Sequence, residues 1–462
     1  MNLYAFSLEF CEPVDLFTGL HAMPYSLFFD SADRNHSNAR YSFIAFEPTQ
    51  TITAKNGTLT ITNAGQQRSF QGNPFSVVKE RLASLRADVT PRADLPPFQG
   101  GAAGFFGYDL AYGIERLPSV ASGNAPDMAI GIYDQVAAFD HQLNKVWFIA
   151  LAESEEAANI KHAHFLHLTQ KRDIAPHSSF QPEWTSSFTR AAYEQAIARI
   201  VEYIRAGDIF QANLSQRFSA QLPAGFDSFS HYRALRRVNT APFAAYMNFG
   251  KVKLSSASPE RFLSVDDNGH VETKPIKGTR PRAISAREDE RLRRELAASV
   301  KDRAENIMIV DLLRNDLSKV CQDFSVEVPA LCALESFATV HHLVSTVTGS
   351  LQPGQTAVDL LRACFPGGSI TGAPKMRAME IIAELENMAR GPYCGAMGYI
   401  GFDGAMDTSI AIRTLVYEGD TVSFNVGGGV TANSDPAEEY QETLDKAAAM
   451  FASFGNKRRE AA

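Results

Sequence analysis

Thr273-Lys274-Pro275-Ile276-Lys277-Gly278-Thr279-Arg280-Pro281-Arg282 is the stretch on which the reading of this chain turns. It sets Lys277 in an otherwise apolar turn between Ile276 and Gly278, with two arginines just downstream. A lysine that attacks carbon must be neutral, so desolvation or a nearby cation has to bring its pKa from about 10.4 towards ~7–8. Ile276, Pro275 and the arginines are suited to both. The ordinary alternative is a lysine that snorkels from a loop into solvent. Only the company Lys277 keeps elsewhere in the chain decides between them.

Length and composition bound that company. At 462 residues the chain exceeds one ordinary core, so two domains or one large intertwined α/β body is expected. A net charge of -8 and a pI near 5.8, with no long basic run, give no global attraction to nucleic acid or anionic membrane. A small-molecule substrate is favoured. The five cysteines (Cys11, Cys321, Cys332, Cys364 and Cys394) are scattered and contain no C-x-x-C, which supports neither a disulfide framework nor a zinc site. Reduced cytoplasm is the expected location, because the N-terminus lacks a basic segment followed by an apolar core and no apolar run approaches a membrane span.

Residues 1–180 read as β-rich. Apolar or alternating runs occupy Tyr25 to Phe29, Tyr41 to Phe46 and Ile130 to Phe139. Thr51–Ala54 and Thr58–Ile61 flank Lys55-Asn56-Gly57, a turn chemistry that tolerates positive φ, and so predict a hairpin. Asn73 caps a predicted helix with Pro74 at its first position and Phe75, Val78, Leu82 and Leu85 on one face. The glycine-aromatic run from Gly100 to Tyr108 predicts close backbone packing. Pro176 to Phe188 is polar and reads as the crossover to a second region, 189–455. There Thr189 opens a helix with Tyr193, Ile197, Ile200, Val201 and Ile204 at helical spacing, and strands are expected from Ile209 and from Ala244. No internal repeat separates the two regions, so one intertwined body is expected.

Several segments carry chemistry. A helix from Lys301 to Lys319 bears Glu305 one turn before Ile309. A second, from Pro436 to Phe454 behind the cap Asp435, bears Glu438, Glu439 and Glu442. First-turn acids serve as dipole partners in most helices, whereas Glu442 lies deeper and is the better ligand candidate. Two carboxylates from different helices, with waters and a substrate carboxylate, are what magnesium prefers. The loop Pro366 to Lys375 imitates a P-loop and fails it, since Gly372 is followed by Ala373-Pro374; with Pro374 in the first turn of the next helix, its amides are still placed to receive a carboxylate. Asn425-Val426-Gly427-Gly428-Gly429 is a second site of close backbone approach, and Arg413 is suited either to a carboxylate ligand or to a buried ion pair. His341 and His342 point apart if they lie in a strand, one to the core and one to a proton-transfer role.

Taken together these segments resemble the chorismate-utilising enzymes, the group of anthranilate, aminodeoxychorismate, isochorismate and salicylate synthases. The likeness covers most of Tyr193 to Phe451, carried in order by Ser258-Pro259-Glu260-Arg261-Phe262, the Lys277 segment, Ala304-Glu305-Asn306, Asp311 to Leu317, Gly367 to Lys375, Asp407 to Arg413 and Asp435 to Ala447. The resemblance implies an α+β fold of two large, mostly antiparallel β-sheets packed together, helices outside and the active site in the cleft. Gln211 stands where isochorismate and salicylate synthases carry a water-activating lysine, and Lys277 stands where anthranilate synthases carry alanine. The likeness is therefore strongest to aminodeoxychorismate synthase component I.

It further implies Mg2+ held by Glu305 and Glu442 with Glu439 nearby, Lys277 as nucleophile, Glu260 as general acid and base, and His342 near the ring. Gly278, Thr279, Tyr393, Arg413, Gly427, Gly428, Gly429 and Lys446 would surround chorismate. No glutaminase-like segment is visible, so ammonia would come from a separate glutamine amidotransferase subunit, and the product would serve 4-aminobenzoate and folate synthesis. Anthranilate synthesis is the runner-up, and a non-catalytic metabolite-binding subunit stands behind it. The family's tryptophan pocket would correspond to Ser31, Arg40 and Tyr41 against Pro242, Phe243 and Ala244, with Asp30 in place of a longer glutamate.

Overall fold

Alternation along the strands sets the architecture. In Tyr41–Ala45, Phe43 and Ala45 enter one apolar cluster and Ile44 another. In Gly101–Phe106, Ala103 and Phe105 join Phe43 and Ala45, whereas Ala102 and Phe106 face away. Side chains of opposite parity lie on opposite faces, so the shared cluster is the seam between two sheets. The outer faces carry helices: Pro13–Phe17, Glu155–Leu168 and Ser228–Val238 contribute to the cluster around Phe28 and Phe148 or rest against it, and Pro74–Arg86, Val300–Ser318 and Ala357–Cys364 supply the cluster around Ile52 and Phe106.

The computed structural model describes residues 1–86, 89–170, 180–336 and 340–455, so residues 176–179 of the expected crossover lie outside the described residues. Among the described residues there are two sheets of twelve strands each. The first runs Asn2–Leu8, Lys145–Ala152, Gln135–Asp140, Tyr41–Ala45, Ser26–Asp30, Phe243–Asn248, Val252–Ser258, Thr414–Glu418, Thr421–Val430, Gln211–Gln221 and Thr185–Ser186, with Gly372–Ala373 also paired to Gln211–Gln221. The second runs Ile276–Pro281, Val340–Ser350, His270–Thr273, Arg261–Val265, Met406–Ile410, Ala396–Gly401, Gly101–Phe106, Met128–Tyr133, Gln50–Lys55, Thr58–Asn63 and Gln66–Gln71, with Glu327–Ser336 also paired to Val340–Ser350. Residues before 180 and after 189 share both sheets, joined antiparallel where Ser26–Asp30 meets Phe243–Asn248 and where Gly101–Phe106 meets Ala396–Gly401.

Local chemistry accounts for the elements read most directly from sequence. The hairpin turns on Asn56 and Gly57, both at positive φ, with Lys55 opposite Thr58. Asn73 caps its helix by accepting from the Ser76 amide at 3.1 Å. A side chain at Gly104 would run into the Ala129 carbonyl, and one at Gly101 into that of Ile400, so the glycine-aromatic strand is packed backbone to backbone. The run Ile130 to Phe139 is two strands that lie in different sheets, broken at Asp134. No helix among the described residues is long and apolar enough to cross a membrane.

Candidate active site

Two crossings between the sheets frame the site. The chain leaves the first sheet after Ser258 and enters the second at Arg261, with Glu260 buried on the way. It returns between Ile410 and Thr414, with Arg413 at a φ of 49°. The crossings bind each other: the Ile410 amide donates to the Glu260 carbonyl at 3.1 Å, the Ala257 amide to the Arg413 carbonyl at 3.0 Å, and Ser258 Oγ to the Ile410 carbonyl at 2.6 Å.

Lys277 lies in strand Ile276–Pro281 rather than in the turn its composition suggested, because the segment pairs along Val340–Ser350. Lys277 opposes Leu343 and Thr279 opposes His342, so Gly278 is the extra residue of a bulge. Its φ is 76°, and a Cβ there would come within 2.8 Å of Asp302 and 2.9 Å of Leu296; glycine is required twice over. The residue as a whole is half-buried, but the ammonium lies deep, 3.4 Å from the Ser369 carbonyl. Burial pulls its pKa below the ordinary lysine value, against the upward pull of Glu305 and Glu260. Glu260 is displaced the other way: burial raises it, opposed by Lys277, by the Ser369 hydroxyl donating to Oε1 at 3.0 Å, and by Arg413. Arg413 makes no ion pair among the described residues, and burial lowers its pKa while Glu260 opposes that shift. A structural ion pair is therefore not what holds it.

Of the two adjacent histidines, His341 is enclosed between Ser336 Oγ at 2.7 Å and Asp289 Oδ1 at 3.1 Å. His342 meets Thr279 Oγ1 through Nδ1 at 2.9 Å, and burial holds its pKa down at about 4, so it is neutral at physiological pH. Tyr393 is buried, with the Arg390 guanidinium 5.6 Å from its ring centroid. Lys446 donates to the Gly427 carbonyl at 2.9 Å and pairs with Glu442 at 2.5 Å.

Three carboxylates gather beside these groups. Burial raises Glu305, against Lys277 and Lys301, and burial raises Glu439, which accepts from Ser434 Oγ at 2.6 Å. Glu442 is lowered overall: burial acts upward, but Lys446, Lys301 and Lys277 outweigh it. Gly428 leaves room for them, since a Cβ there would stand 3.2 Å from both Glu439 Oε2 and Glu442 Oε1. Among the described residues no three His, Cys, Asp or Glu side chains converge tightly enough to hold a metal by themselves. Glu305 on one helix and Glu439 and Glu442 on another offer hard carboxylate oxygens of the kind magnesium takes, so their donor chemistry fits that ion.

The loop before helix Lys375–Glu386 differs from its sequence reading. Pro374 caps the helix from outside, after a cis Ala373–Pro374 bond, and Lys375 turns away to Asp316 at 2.5 Å and the Cys364 carbonyl at 3.0 Å. The loop's contribution is Ser369, a residue within Pro366 to Lys375 to which the sequence reading gives no role. Its partners lie about a hundred residues upstream, and no local pattern marks it.

A separate cavity of about 990 Å³ opens between the sheets away from Lys277, and Ser31, Arg40, Tyr41, Pro242, Phe243 and Ala244 all line it. Two guanidinium groups in its lining are engaged with carboxylates: Arg40 with Asp140 at 2.8 Å and Arg261 with Asp407 at 2.9 Å. Asp30 also lines the cavity, but its carboxylate is engaged elsewhere. It shares strand parity with Phe28, and its carboxylate turns outward to Tyr232 at 2.9 Å and Arg236 at 2.8 Å.

Comparison with known proteins identifies relatives of this chain. Residues 25–452 match the family described as chorismate binding enzyme. Aminodeoxychorismate synthase component 1 of Salmonella typhimurium is 42% identical over 435 residues, 93% of this chain and 93% of that protein. Anthranilate synthase component 1 of a Synechocystis species is 38% identical over 464 residues, 93% of this chain and 91% of that protein. The crystal structure of anthranilate synthase component I from Streptococcus pneumoniae superposes with a TM-score of 0.79 at 34% identity, covering 89% of this chain and 92% of that one.

Proposed function

The chain belongs to the chorismate-binding enzymes, and on that footing we propose that it converts chorismate and ammonia to 4-amino-4-deoxychorismate. The observation that carries this reading is the desolvated Lys277 amine, which shares the Ser369 loop with a buried Glu260. The neutral amine adds at C2 of the ring, the ring double bonds shift, and the C4 hydroxyl departs as water with a proton from Glu260. Ammonia then adds at C4, the C2–N bond breaks to release Lys277, and the Glu260 carboxylate takes up the ammonia-derived proton. Glu305 and Glu442, with Glu439 behind them, would hold magnesium, which when bound would supply electron withdrawal from the ring. Arg413, with no ion-pair partner of its own among the described residues, binds the other carboxylate of the substrate. Neutral His342 and Tyr393 border the ring, Lys446 neutralises Glu442, and Gly278, Thr279 and Gly427 to Gly429 bring backbone close to it. Gln211 offers no base at neutral pH, so water is not activated in place of ammonia.

The "component 1" in the relatives' names implies a complex, and a glutamine amidotransferase subunit would supply the ammonia. Product would pass to 4-aminobenzoate and folate synthesis in the cytoplasm. The cavity lined by Ser31 and Pro242 would hold tryptophan in a structural role, between a region 1–180 and a catalytic region 189–455. Anthranilate formation is the second reading, favoured by relatives of that name at 38% identity. Chromatography of the purified chain with chorismate, magnesium and an ammonium salt, followed by an added lyase, separates the two. 4-Aminobenzoate is expected and should vanish when magnesium is chelated; anthranilate without 4-aminobenzoate would reverse the assignment.

A further inference from the structure

Ser369 touches both reacting side chains with different atoms. Its hydroxyl donates to Glu260 Oε1 at 3.0 Å, and its carbonyl accepts from Lys277 Nζ at 3.4 Å. The residue is buried, so water does not compete for either contact. The loop around it is pinned from below. Arg390 donates through Nη1 to the Ile370 carbonyl at 3.2 Å and through Nη2 to the Asn213 carbonyl at 2.7 Å, and its guanidinium is locked against Glu386 at 2.7 and 2.9 Å. Arg390 and Glu386 are themselves buried, and the Asn213 amide donates to the Thr371 carbonyl at 2.7 Å.

We propose that Ser369 is a positioning residue of the amination. Its hydroxyl fixes Glu260 by one carboxyl oxygen so that the other exchanges the proton, and its carbonyl steadies the Lys277 amine. The inference rests on the reading of Lys277 as nucleophile and Glu260 as acid and base. A protonated carboxyl has one O–H; with Oε1 occupied as an acceptor, the transferable proton belongs on Oε2. A neutral amine has two N–H groups and one lone pair, and spending an N–H on a fixed carbonyl narrows the rotation that would otherwise carry the lone pair away from C2. One residue thus sets the angle of the nucleophile and the face of the acid.

The test compares Ser369→Ala and Ser369→Thr with the wild type, measuring kcat, KM for chorismate and, by rapid quench, the rate at which substrate-derived mass appears on the protein. Loss of a hydrogen bond to a charged or proton-transferring group predicts a kcat lower by roughly 10- to 100-fold in the alanine variant. KM should stay within about twofold, since the hydroxyl orients Glu260 and does not hold substrate. Threonine, which keeps the hydroxyl, should restore adduct formation. Should the alanine variant melt early, Ser369→Thr against Ser369→Val decides the matter, because the two side chains match in shape and differ in the hydroxyl. An alanine variant as fast as wild type, or threonine and valine equally slow, overturns the proposal while leaving the amination reading intact. A wild type that makes no aminodeoxychorismate defeats that reading and this inference with it.

Discussion

The cavity beside Ser31 and the site around Lys277 hold the same residue types to opposite ends. In the cavity wall each guanidinium has its carboxylate: Arg40 with Asp140, Arg261 with Asp407, and Arg236 with Asp30 just behind. At the site Lys277 and Arg413 are pushed towards their neutral forms by burial and Glu260 towards its acid form. The first arrangement pairs its guanidinium groups and offers room; the second leaves Arg413 without an ion pair among the described residues and holds Lys277 and Glu260 by burial away from their ordinary charge states. Volume and perturbed electrostatics thus mark two different places in the molecule.

The contrast breaks first at Lys277. Lys277→Ala should lower kcat by at least about 10³-fold while chorismate still binds, as measured by turnover and by titration of the variant with substrate. Glu260→Gln should cost about 10²- to 10⁴-fold and also change the shape of the pH profile. Burial depresses the Lys277 pKa, so activity rises as pH climbs through that lowered value. Burial raises the Glu260 pKa, so the acid form persists above the usual carboxylate range and activity falls as pH rises through it. Wild type should give a bell, and the glutamine variant should lose the alkaline limb and keep the acid one.

The cavity side of the contrast is structural. Asp30→Ala leaves Arg236 and Tyr232 without their buried acceptor and should destabilise the fold by about 3–5 kcal/mol in denaturant titration, with turnover per folded molecule unchanged. Tryptophan at a hundredfold excess over its dissociation constant should stabilise the protein by about 2.7 kcal/mol, seen as a raised melting temperature, without strong inhibition. Calorimetry showing no heat of binding would remove tryptophan from the cavity, and potent inhibition would contradict a purely structural role.

How much of this could be read from sequence depended on the range of the interaction. The hairpin at Asn56-Gly57, the cap at Asn73 and the helix from Arg190 with its face of Tyr193, Ile197 and Ile200 are local, and their patterns gave them directly. The two-sheet fold was legible only through resemblance, because Ile130 to Phe139 shows no sign in its composition that its halves enter different sheets. Lys277 looked like a turn because Pro275 and Gly278 flank it; pairing with Val340–Ser350, more than sixty residues on, makes it a bulged strand. Glu305 and Glu442 were visible as acids on two helix faces, but Gly428, which lets Glu439 and Glu442 approach, is distinguished only by what a Cβ would strike. Ser369 was invisible because its partners, Lys277 and Glu260, lie about a hundred residues upstream.

Mass spectrometry of the intact wild-type protein, quenched after mixing with chorismate and magnesium and before ammonium is added, tests the central claim most directly. The account predicts a species heavier by chorismate less one water, mapped to Lys277 by peptide digestion and discharged on addition of ammonium. Full turnover with no such species, or an adduct that persists in Lys277→Ala, would contradict it.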